Sequence, residues 1–392
     1  MKTKSNYKRL SLLAIIMGTS ILLFFGCSRI IINPEMQEHQ LLPNWKLAGG
    51  NPQRTFNYPL AVKPPLEIHF IKRLPAAIDR NIIVVDSVLY FGTQHEHVYA
   101  YNIVTSKKIG KKNMEYASTC AYVDHQLLVA ERYGDKTLHS LNLYNNDWMW
   151  QIDAGDIESE PLICPKGIVI SALYNHVDLY TIESGTKLWT FNTNDQIRSS
   201  PAYGDGKIFF GCDDGAVYAL DESNGKEIWH FQTEGAVEAT PAVDLNARLV
   251  LIGSSDFRFY AINMDTGNEV WSFRANGQLL NNAAVSFNNV IFGSTDNKLY
   301  CLNIKNGALR WQYTCESVIS TSPLISGDIV FLGSLDQNLY AVDLSSGKKI
   351  WQYKTHGRIR TNPVAWGEYL AVASEDNYLY VFKSVEKKEQ GD

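Results

Sequence analysis

Six tryptophans recur at a nearly constant spacing in the later part of this 392-residue chain. They are Trp150, Trp189, Trp229, Trp271, Trp311 and Trp351, and the gaps between them are 39, 40, 42, 40 and 40 residues. A fixed period near 40 with strand-like content is typical of a ring of small antiparallel sheets, because each repeat buries its apolar faces only against its neighbours. The spacing therefore predicts a β-propeller and argues against an ordinary enzyme with a single pocket.

Most of these tryptophans close a variant of one phrase. In residues 219–229 the phrase reads Ala-Leu-Asp-Glu-Ser-Asn-Gly-Lys-Glu-Ile-Trp, and it returns in residues 261–271, 301–311 and 341–351. The glycine is expected because a turn between adjacent strands often needs a positive φ. We expect the tryptophan to pack flat between two blades, so that Trp229→Ala costs about 3–5 kcal/mol.

The number of blades follows from counting strand signatures. Third strands with a Tyr or Leu signature occur eight times, whereas outer strands at or after Gly110 occur seven times. The eighth outer strand is found upstream, where residues 66–70 precede Gly110 by 40 residues. The sequence thus predicts an all-β, eight-bladed propeller of four-stranded antiparallel blades over residues 43–384. Strand 66–71 would close the ring and leave no open sheet edge.

The first two repeats depart from the pattern. Gly110 stands where a tryptophan is expected, and residues 145–150 lack the turn glycine. We expect altered loops or relaxed packing in these blades. Residues 385–392 are predicted to be a polar tail, and a single closed ring predicts a monomer.

The N-terminus has the pattern of a targeting segment. Four basic residues in positions 1–9 precede the mostly apolar residues 10–25, which are short for a membrane-spanning helix. Gly26-Cys27 resembles the lipobox of bacterial lipoproteins, which implies a signal peptide over 1–26 and lipid on Cys27. Several acyl chains give stable anchoring. The alternative is an uncleaved signal anchor. Residues 27–42 show no periodicity and are predicted to be a tether, and Ser28 favours the outer membrane.

Charge and cysteine content exclude several classes. The net charge is −5 and no long basic block follows the leader, so nucleic acid is not an expected partner. Besides Cys27 there are five cysteines, which are Cys120, Cys164, Cys212, Cys301 and Cys315. They occupy different positions within their repeats, which indicates small buried residues rather than a disulfide framework.

The repeated phrase resembles the tryptophan-docking repeat of PQQ-type β-propellers, and residues 45–54 resemble the opening of many such chains. That family contains quinoprotein dehydrogenases, which use PQQ and calcium, and non-catalytic lipoproteins of the BamB family. The lipobox followed by eight short blades is similar to the second class. The resemblance implies a non-catalytic scaffold, anchored in the cell envelope and facing the periplasm, that binds envelope or outer-membrane proteins during outer-membrane protein assembly.

Two alternatives remain open. A PQQ-dependent dehydrogenase would, by resemblance, have an adjacent pair of cysteines, long lid loops and an acid-rich calcium site. The chain has no adjacent cysteines and its repeats are short, so no PQQ is expected. The other alternative is a surface module that recognises peptides or sugars.

Residues 95–97, His-Glu-His, offer two imidazoles and a carboxylate. No third nitrogen or sulfur ligand is specified, and a solvated turn is favoured over a metal site.

One set of positions is a candidate binding site. The residue after the leading apolar residue of each first strand is expected at the mouth of the central channel, and five of these eight positions are charged. The charged positions are Asp79, Glu158, Arg198, Glu238 and Arg360. They would form either a funnel for a peptide or small polar ligand or, as we favour, a solvated channel in which opposite charges pair across the axis. No catalytic residue is predicted.

Overall fold

The computed structural model describes residues 29–31, 42–95 and 97–385, which form a propeller of eight antiparallel sheets. The predicted leader, Cys27 and residues 386–392 of the predicted tail lie outside the described residues. In the described ranges, no helix is long and apolar enough to cross a bilayer. The prediction of eight four-stranded blades is confirmed.

Each blade has four strands, which we letter a to d from the channel to the rim, and neighbouring a strands contact one another around most of the ring. Blade 1 consists of Ile78–Val85, Val88–Thr93, His97–Asn102 and Lys108–Asn113. Blade 2 consists of Ser118–Val123, Gln126–Glu131, Leu138–Asn142 and Trp148–Ile152. Blade 3 consists of Leu162–Cys164, Gly167–Ala172, His176–Tyr180 and Lys187–Asn192. Blade 4 consists of Ala202–Gly204, Lys207–Gly211, Ala216–Asp221 and Glu227–Gln232.

The second half of the ring repeats this pattern and ends with the closure. Blade 5 consists of Ala242–Asp244, Leu249–Gly253, Arg258–Asn263 and Glu269–Arg274. Blade 6 consists of Ala284–Ser286, Asn289–Gly293, Lys298–Asn303 and Leu309–Thr314. Blade 7 consists of Leu324–Ser326, Ile329–Gly333, Asn338–Asp343 and Lys349–Lys354, with Asn57–Tyr58 added in parallel beside its strand a. Blade 8 consists of Val364–Trp366, Tyr369–Ser374, Tyr378–Ser384 and the N-terminal strand Leu66–Arg73.

Burial along the strands explains their composition. Strands b and c lie between two neighbouring blades and are apolar on both faces, as in Val88–Thr93, where every residue is buried. The d strands face solvent on one side and alternate, as in Lys349–Lys354. The five described cysteines are buried and carry no disulfide.

Five of the repeated tryptophans make the same contact with the next blade. The indole N–H of Trp229 donates to the carbonyl of Met264 at 3.1 Å, and the ring covers Gly267. A Cβ on Gly267 would lie 2.8 Å from that ring, and its φ is +74°. The same bond, at 2.8–2.9 Å, joins Trp150 to Ile182, Trp189 to Glu222, Trp271 to Ile304 and Trp311 to Leu344. The glycine is therefore required by the turn and also by the neighbouring indole.

Trp351 differs because strand d of blade 8 is the N-terminal strand Leu66–Arg73, so that no c–d turn joins it to strand c. Its ring packs edge-on against Phe382 at 5.5 Å instead.

The segment 45–58 crosses one end of the channel, and we call it the N-terminal plug. Its backbone carbonyls accept hydrogen bonds from backbone N–H groups in the a strands of successive blades. The N–H groups of Tyr203, Val243 and Val285 donate in this way to the carbonyls of Pro52, Gln53 and Thr55, respectively. Trp45 pairs with Val84 of blade 1 in both directions. When the hydrogen bonds of Arg54 described below are included, the N-terminal plug forms hydrogen bonds to all eight blades. It therefore acts as a tie across the whole ring.

Residues 29–31, predicted as part of a tether, instead pack in the slot between blades 1 and 2, and we call them the arm. Ile30 is fully buried, and its N–H donates to Asn146 Oδ1 at 2.8 Å. The arm passes over Gly110, where a Cβ would lie 1.9 Å from the Arg29 carbonyl oxygen. The missing tryptophan of blade 1 thus makes room for the arm.

Candidate functional site

The predicted mouth residues lie around the end of the channel opposite the N-terminal plug. They surround a shallow cup of about 360 Å³. Asp79, Arg198, Glu238 and Arg360 line the cup directly, while Glu158 lies at its edge and contacts two arginines of the lining. Leu280 and Ser320 line the cup as well.

Most charges of the cup pair with near neighbours along the ring. Glu158 lies 3.6 Å from Arg80 and 3.3 Å from Arg132. Arg198 lies 3.2 Å from Asp213 and 3.0 Å from Glu238 of the next blade, and Arg360 pairs with Glu375 of its own blade. Such half-exposed pairs contribute roughly 0–1 kcal/mol each. The pairing agrees with the solvated-channel interpretation, although neighbours pair rather than residues across the axis. Binding of a ligand by these residues stays a prediction.

Two carboxyls, Asp79 in the cup and Asp213 beside it, are harder to ionise than usual. Burial raises the pKa of Asp79, and the nearby guanidinium groups of Arg80 and Arg132 oppose this shift. Burial likewise raises the pKa of Asp213, against the attraction of Arg198. Both shifts follow from a confined site in which each carboxylate has lost part of its hydration.

A second ring of polar side chains, which we call the polar ring, lies deeper in the channel. Each of its members follows a mouth position by two residues in the sequence. Its members are Asn81, Glu160, Ser200, Thr240, Asn282, Ser322 and Asn362. In each of blades 4 to 8, the side chain of the polar ring accepts a hydrogen bond from the backbone N–H of the polar-ring residue in the preceding blade. For example, the Glu160 N–H donates to the Ser200 hydroxyl at 2.8 Å. Side-chain bonds from Asn362 to Asn81 and from Asn81 to Glu160 close the circle. Blade 2, which has Cys120 at this position, is bypassed.

Arg54 of the N-terminal plug contacts the backbone of the polar ring at Glu160. The side chain is fully buried and donates to four carbonyl oxygens, those of Ala48 at 2.6 Å and of Glu160, Pro161 and Pro201 at 3.1 Å. Burial lowers its pKa to about 10, and Glu160 opposes the shift. Arg54 is therefore charged at neutral pH, and its guanidinium lies against the backbone of Glu160, whose side chain lines the cup.

Sequence reasoning missed the polar ring and Arg54. The polar ring does leave a signal, because its members follow the mouth positions by two residues in the seven blades that contribute one, and so they share the 40-residue period. Arg54 leaves none, since nothing in a single arginine near the N-terminus indicates that it contacts the backbone of blades 3 and 4.

The described residues do not fit a quinone cofactor with calcium. Of these residues, no group of three or more His, Cys, Asp or Glu side chains is placed to hold a metal ion. The five described cysteines are buried and none of them lines the cup, and Arg132 and Arg198 of the cup pair with Glu158 and Glu238. His97 of the His-Glu-His sequence contacts Lys111 through Nε2 and the His95 carbonyl through Nδ1, and Glu96 lies outside the described residues.

Beside the cup, the loops of blades 1 to 3 expose three tyrosines, which we call the tyrosine surface. Tyr116, Tyr133 and Tyr174 are 42%, 40% and 56% exposed. Tyr116 and Tyr133 meet edge-to-face at 6.2 Å, and Arg132 of the cup lies 6.0 Å from the Tyr133 ring. Tyrosine and arginine are enriched at protein interfaces, because they supply contact area together with hydrogen bonds. This surface was not predicted from the sequence.

Comparisons with known proteins agree on the fold. The outer membrane protein assembly factor BamB of Shewanella oneidensis is 27% identical over 125 residues, covering 30% of this chain and 32% of that protein. The quinohemoprotein alcohol dehydrogenase of Comamonas testosteroni is 25% identical over 122 residues, covering 27% of this chain and 17% of that protein. The chain thus spans about a third or less of the curated relatives it matches.

Solved structures cover more of the ring. BamB from Moraxella catarrhalis has a TM-score of 0.70 at 19% identity, with 81% of this chain and 99% of that chain covered. The quinohemoprotein alcohol dehydrogenase from Comamonas testosteroni has a TM-score of 0.75 at 12% identity, with 89% and 82% covered. These likenesses establish a shared fold only.

The family model described as "Beta-alanine-activating enzyme, beta-propeller" matches residues 166–390, more than half of the chain. The protein therefore belongs to this β-propeller family, and it resembles BamB within the PQQ-like propeller fold.

Proposed function

We propose that the protein is a non-catalytic, lipid-anchored scaffold of the cell envelope that binds another protein during outer-membrane protein assembly. The observation that carries the proposal is the tyrosine surface beside a cup in which most charged side chains are paired. Exposed tyrosines next to paired arginines provide an apolar contact area with a polar rim, which is the composition of a protein-binding surface. The partial match to BamB of Shewanella oneidensis supports outer-membrane assembly as the process.

The cup itself favours a scaffold over an enzyme. The walls of the cup are polar, and most of its charged side chains pair with one another or with close neighbours. An enzyme of this fold would need a pocket that buries most of its ligand and a group that is free to react.

Site-specific photo-crosslinking in cells tests the proposal. A photoreactive residue at Tyr133 or Tyr174 should give one defined product that contains a component of the outer-membrane protein assembly machinery. The matched control is Ile350, which is 47% exposed on the d strand of blade 7, across the ring. The same product from Ile350, or none from either tyrosine, would contradict the proposal.

The dehydrogenase alternative has a direct test, and two curated relatives make it worth doing. The quinoprotein ethanol dehydrogenase of Pseudomonas aeruginosa is 30% identical over 118 residues, and the Comamonas enzyme matches a similar length. We expect no alcohol-dependent dye reduction after PQQ and Ca²⁺ are added to the purified protein. Turnover under these conditions would overturn the non-catalytic part of the proposal.

A further inference from the structure

One acidic residue of the cup differs from its equivalents in the other blades. Asp79, Glu158 and Glu238 occupy the same repeat position in blades 1, 3 and 5. Glu158 pairs with two arginines, and Glu238 pairs with a third. Glu160, another carboxyl of the lining, accepts hydrogen bonds from two members of the polar ring. Asp79 lines the cup but accepts no hydrogen bond and forms no ion pair within the described part of the chain.

The backbone of blade 1 directs Asp79 into the cup. Ile78 and Ile82 of strand a pair with residues of strand b that are only two positions apart, so three residues of strand a lie opposite one. A bulge of this kind changes the direction of the side chains within it, and Asp79 and Arg80 both line the cup. The raised pKa of Asp79 agrees with a carboxyl that has lost hydration without gaining a hydrogen-bond donor.

The cup has more acidic than basic groups. Six carboxyl groups line it or pair with its lining, namely those of Asp79, Glu158, Glu160, Asp213, Glu238 and Glu375. The guanidinium groups that do so are those of Arg80, Arg132, Arg198 and Arg360. Even when the buried Arg54 is counted, because it acts on Glu160, six acids face five bases. A group that pairs with Asp79 should therefore be a cation.

The lining of the cup suits a side chain of a bound protein better than a free organic molecule. Among the residues that line the cup, Leu280 is the one with a fully apolar side chain, whereas pockets for small organic ligands are mostly apolar. A side chain carried by a protein does not need apolar walls, because contacts outside the cup supply the apolar area. Arg132 joins the cup to such an area, since it lies 3.3 Å from Glu158 and 6.0 Å from the Tyr133 ring.

We propose that the cup receives a basic side chain, a lysine or an arginine, of the protein partner, and that Asp79 accepts its hydrogen bonds. The inference rests on the proposed function, because the same partner would cover the tyrosine surface. A hydrogen bond between an ammonium or guanidinium group and a carboxylate is stronger than a neutral one. Complementary charge of this kind contributes more to the choice and orientation of the partner than to affinity. The contact segment of the partner thus combines a basic residue with apolar residues.

Amino-acid analogues test the cup without the partner. The probes are N-acetyl-lysine methylamide and N-acetyl-arginine methylamide, with N-acetyl-norleucine methylamide as the uncharged match, and saturation-transfer NMR with the full chain detects their binding. We expect several-fold more transfer to the two cationic probes than to the norleucine probe. Asp79→Asn should abolish this difference, whereas Glu234→Gln, at an exposed position on the same face, should preserve it. Equal transfer to all three probes, or a difference that survives in Asp79→Asn, would overturn the role of Asp79.

Photo-crosslinking in cells tests whether the cation belongs to the partner. A photoreactive residue at Gln94, an exposed residue of the cup lining, should give the same product as one at Tyr133. Asp79→Asn should lower the yield of both products several-fold without lowering the melting temperature, and Glu234→Gln should leave both yields unchanged.

The outcomes separate this inference from the proposed function. A product at Tyr133 with none at position 94, or yields that Asp79→Asn does not change, would overturn the inference and leave the scaffold function intact. Binding of the cationic probes without a product at position 94 would assign the cup to a free amine and would overturn the side chain of the partner. No product at either position in the wild type would overturn both proposals.

Discussion

Blades 4 to 7 and the junction of blades 8, 1 and 2 close their inter-blade slots by different means. Among the regular blades, the indole of one blade caps the turn of the next, as Trp271 does at Ile304. At the junction, His69 Nε2 contacts the Val104 carbonyl at 2.8 Å, and Ile30 fills the slot above Gly110. In the regular blades, residues of the repeats themselves fill the slots. At the junction, the slots are filled by N-terminal residues that come before blade 1 in the sequence.

This difference separates local from long-range sources of stability. In an array of repeats, stability is approximately a sum of terms between nearest neighbours. The junction instead depends on residues 29–31 and 42–73, some of whose partners, in blades 7 and 8, lie hundreds of positions away. The N-terminal plug adds contacts to all eight blades, so we expect the largest effects of mutation there and smaller effects in single slots.

Removal of the Arg54 side chain should have the largest effect on stability. Arg54→Ala leaves four buried carbonyls without their donor, and breaking a buried charged network typically costs about 3–5 kcal/mol. The measurement is the free energy of unfolding in urea, followed by tryptophan fluorescence. Lys46→Ala, at an exposed position in the same segment, is the control and should change stability by no more than about 0.5 kcal/mol. Equal values for both variants would contradict the role of the N-terminal plug as a tie.

The second prediction compares a regular slot with the junction slot. Trp271→Ala should cost about 3–5 kcal/mol, because a large buried ring and its hydrogen bond to Ile304 are lost. Ile30→Ala should cost less than about 2 kcal/mol, since the arm can leave its slot without opening the ring. Urea unfolding measures both, with Val270→Ala as the exposed control. A larger cost for Ile30 than for Trp271 would show that the arm is part of the cooperative ring.

The same comparison explains what the sequence could predict. The 40-residue period specified the blades, the closing strand and the mouth positions, because each regular repeat solves the same packing problem with the same residues. The positions of Ile30 and Arg54 depend on contacts with residues far away in the chain, which no local pattern records. Gly110 was recognised as a missing tryptophan, but the sequence did not indicate which residue takes its place. Pairing of Arg198 with Glu238 of the next blade likewise required the geometry of the ring.

The third prediction exchanges the turn residue between the two regions. Gly267→Ala should cost at least about 1–2 kcal/mol, because a left-handed φ is unfavourable for alanine and its Cβ would clash with Trp229. Ser106 occupies the equivalent turn of blade 1 with a φ of +61°. Ser106→Gly should relieve this strain and stabilise the protein by up to about 1 kcal/mol. Thermal unfolding of both variants checks the signs, and a destabilising Ser106→Gly would mean that the serine side chain has a role of its own at the junction.

The smallest expected effect concerns Asp79, at the mouth of the irregular blade 1. Its pKa is raised by burial, so the folded state favours the protonated carboxyl. The stabilising contribution of a group with a raised pKa is present at acidic pH and is lost as the pH rises through the folded-state value. Asp79→Asn should therefore stabilise the protein at pH 7, by no more than about 1 kcal/mol, and this gain should shrink as the pH falls towards 4.

The measurement for Asp79→Asn is urea unfolding at several pH values, with Glu234→Gln as a control that removes an exposed carboxylate from the same face. Arg80 and Arg132 attract the Asp79 carboxylate and oppose the cost of its burial. A variant that is less stable than the wild type at pH 7 would show that this attraction outweighs burial. The cup of blade 1 would then be held together by its charges rather than strained by them, in the same way as the Arg198 pairs of the regular blades.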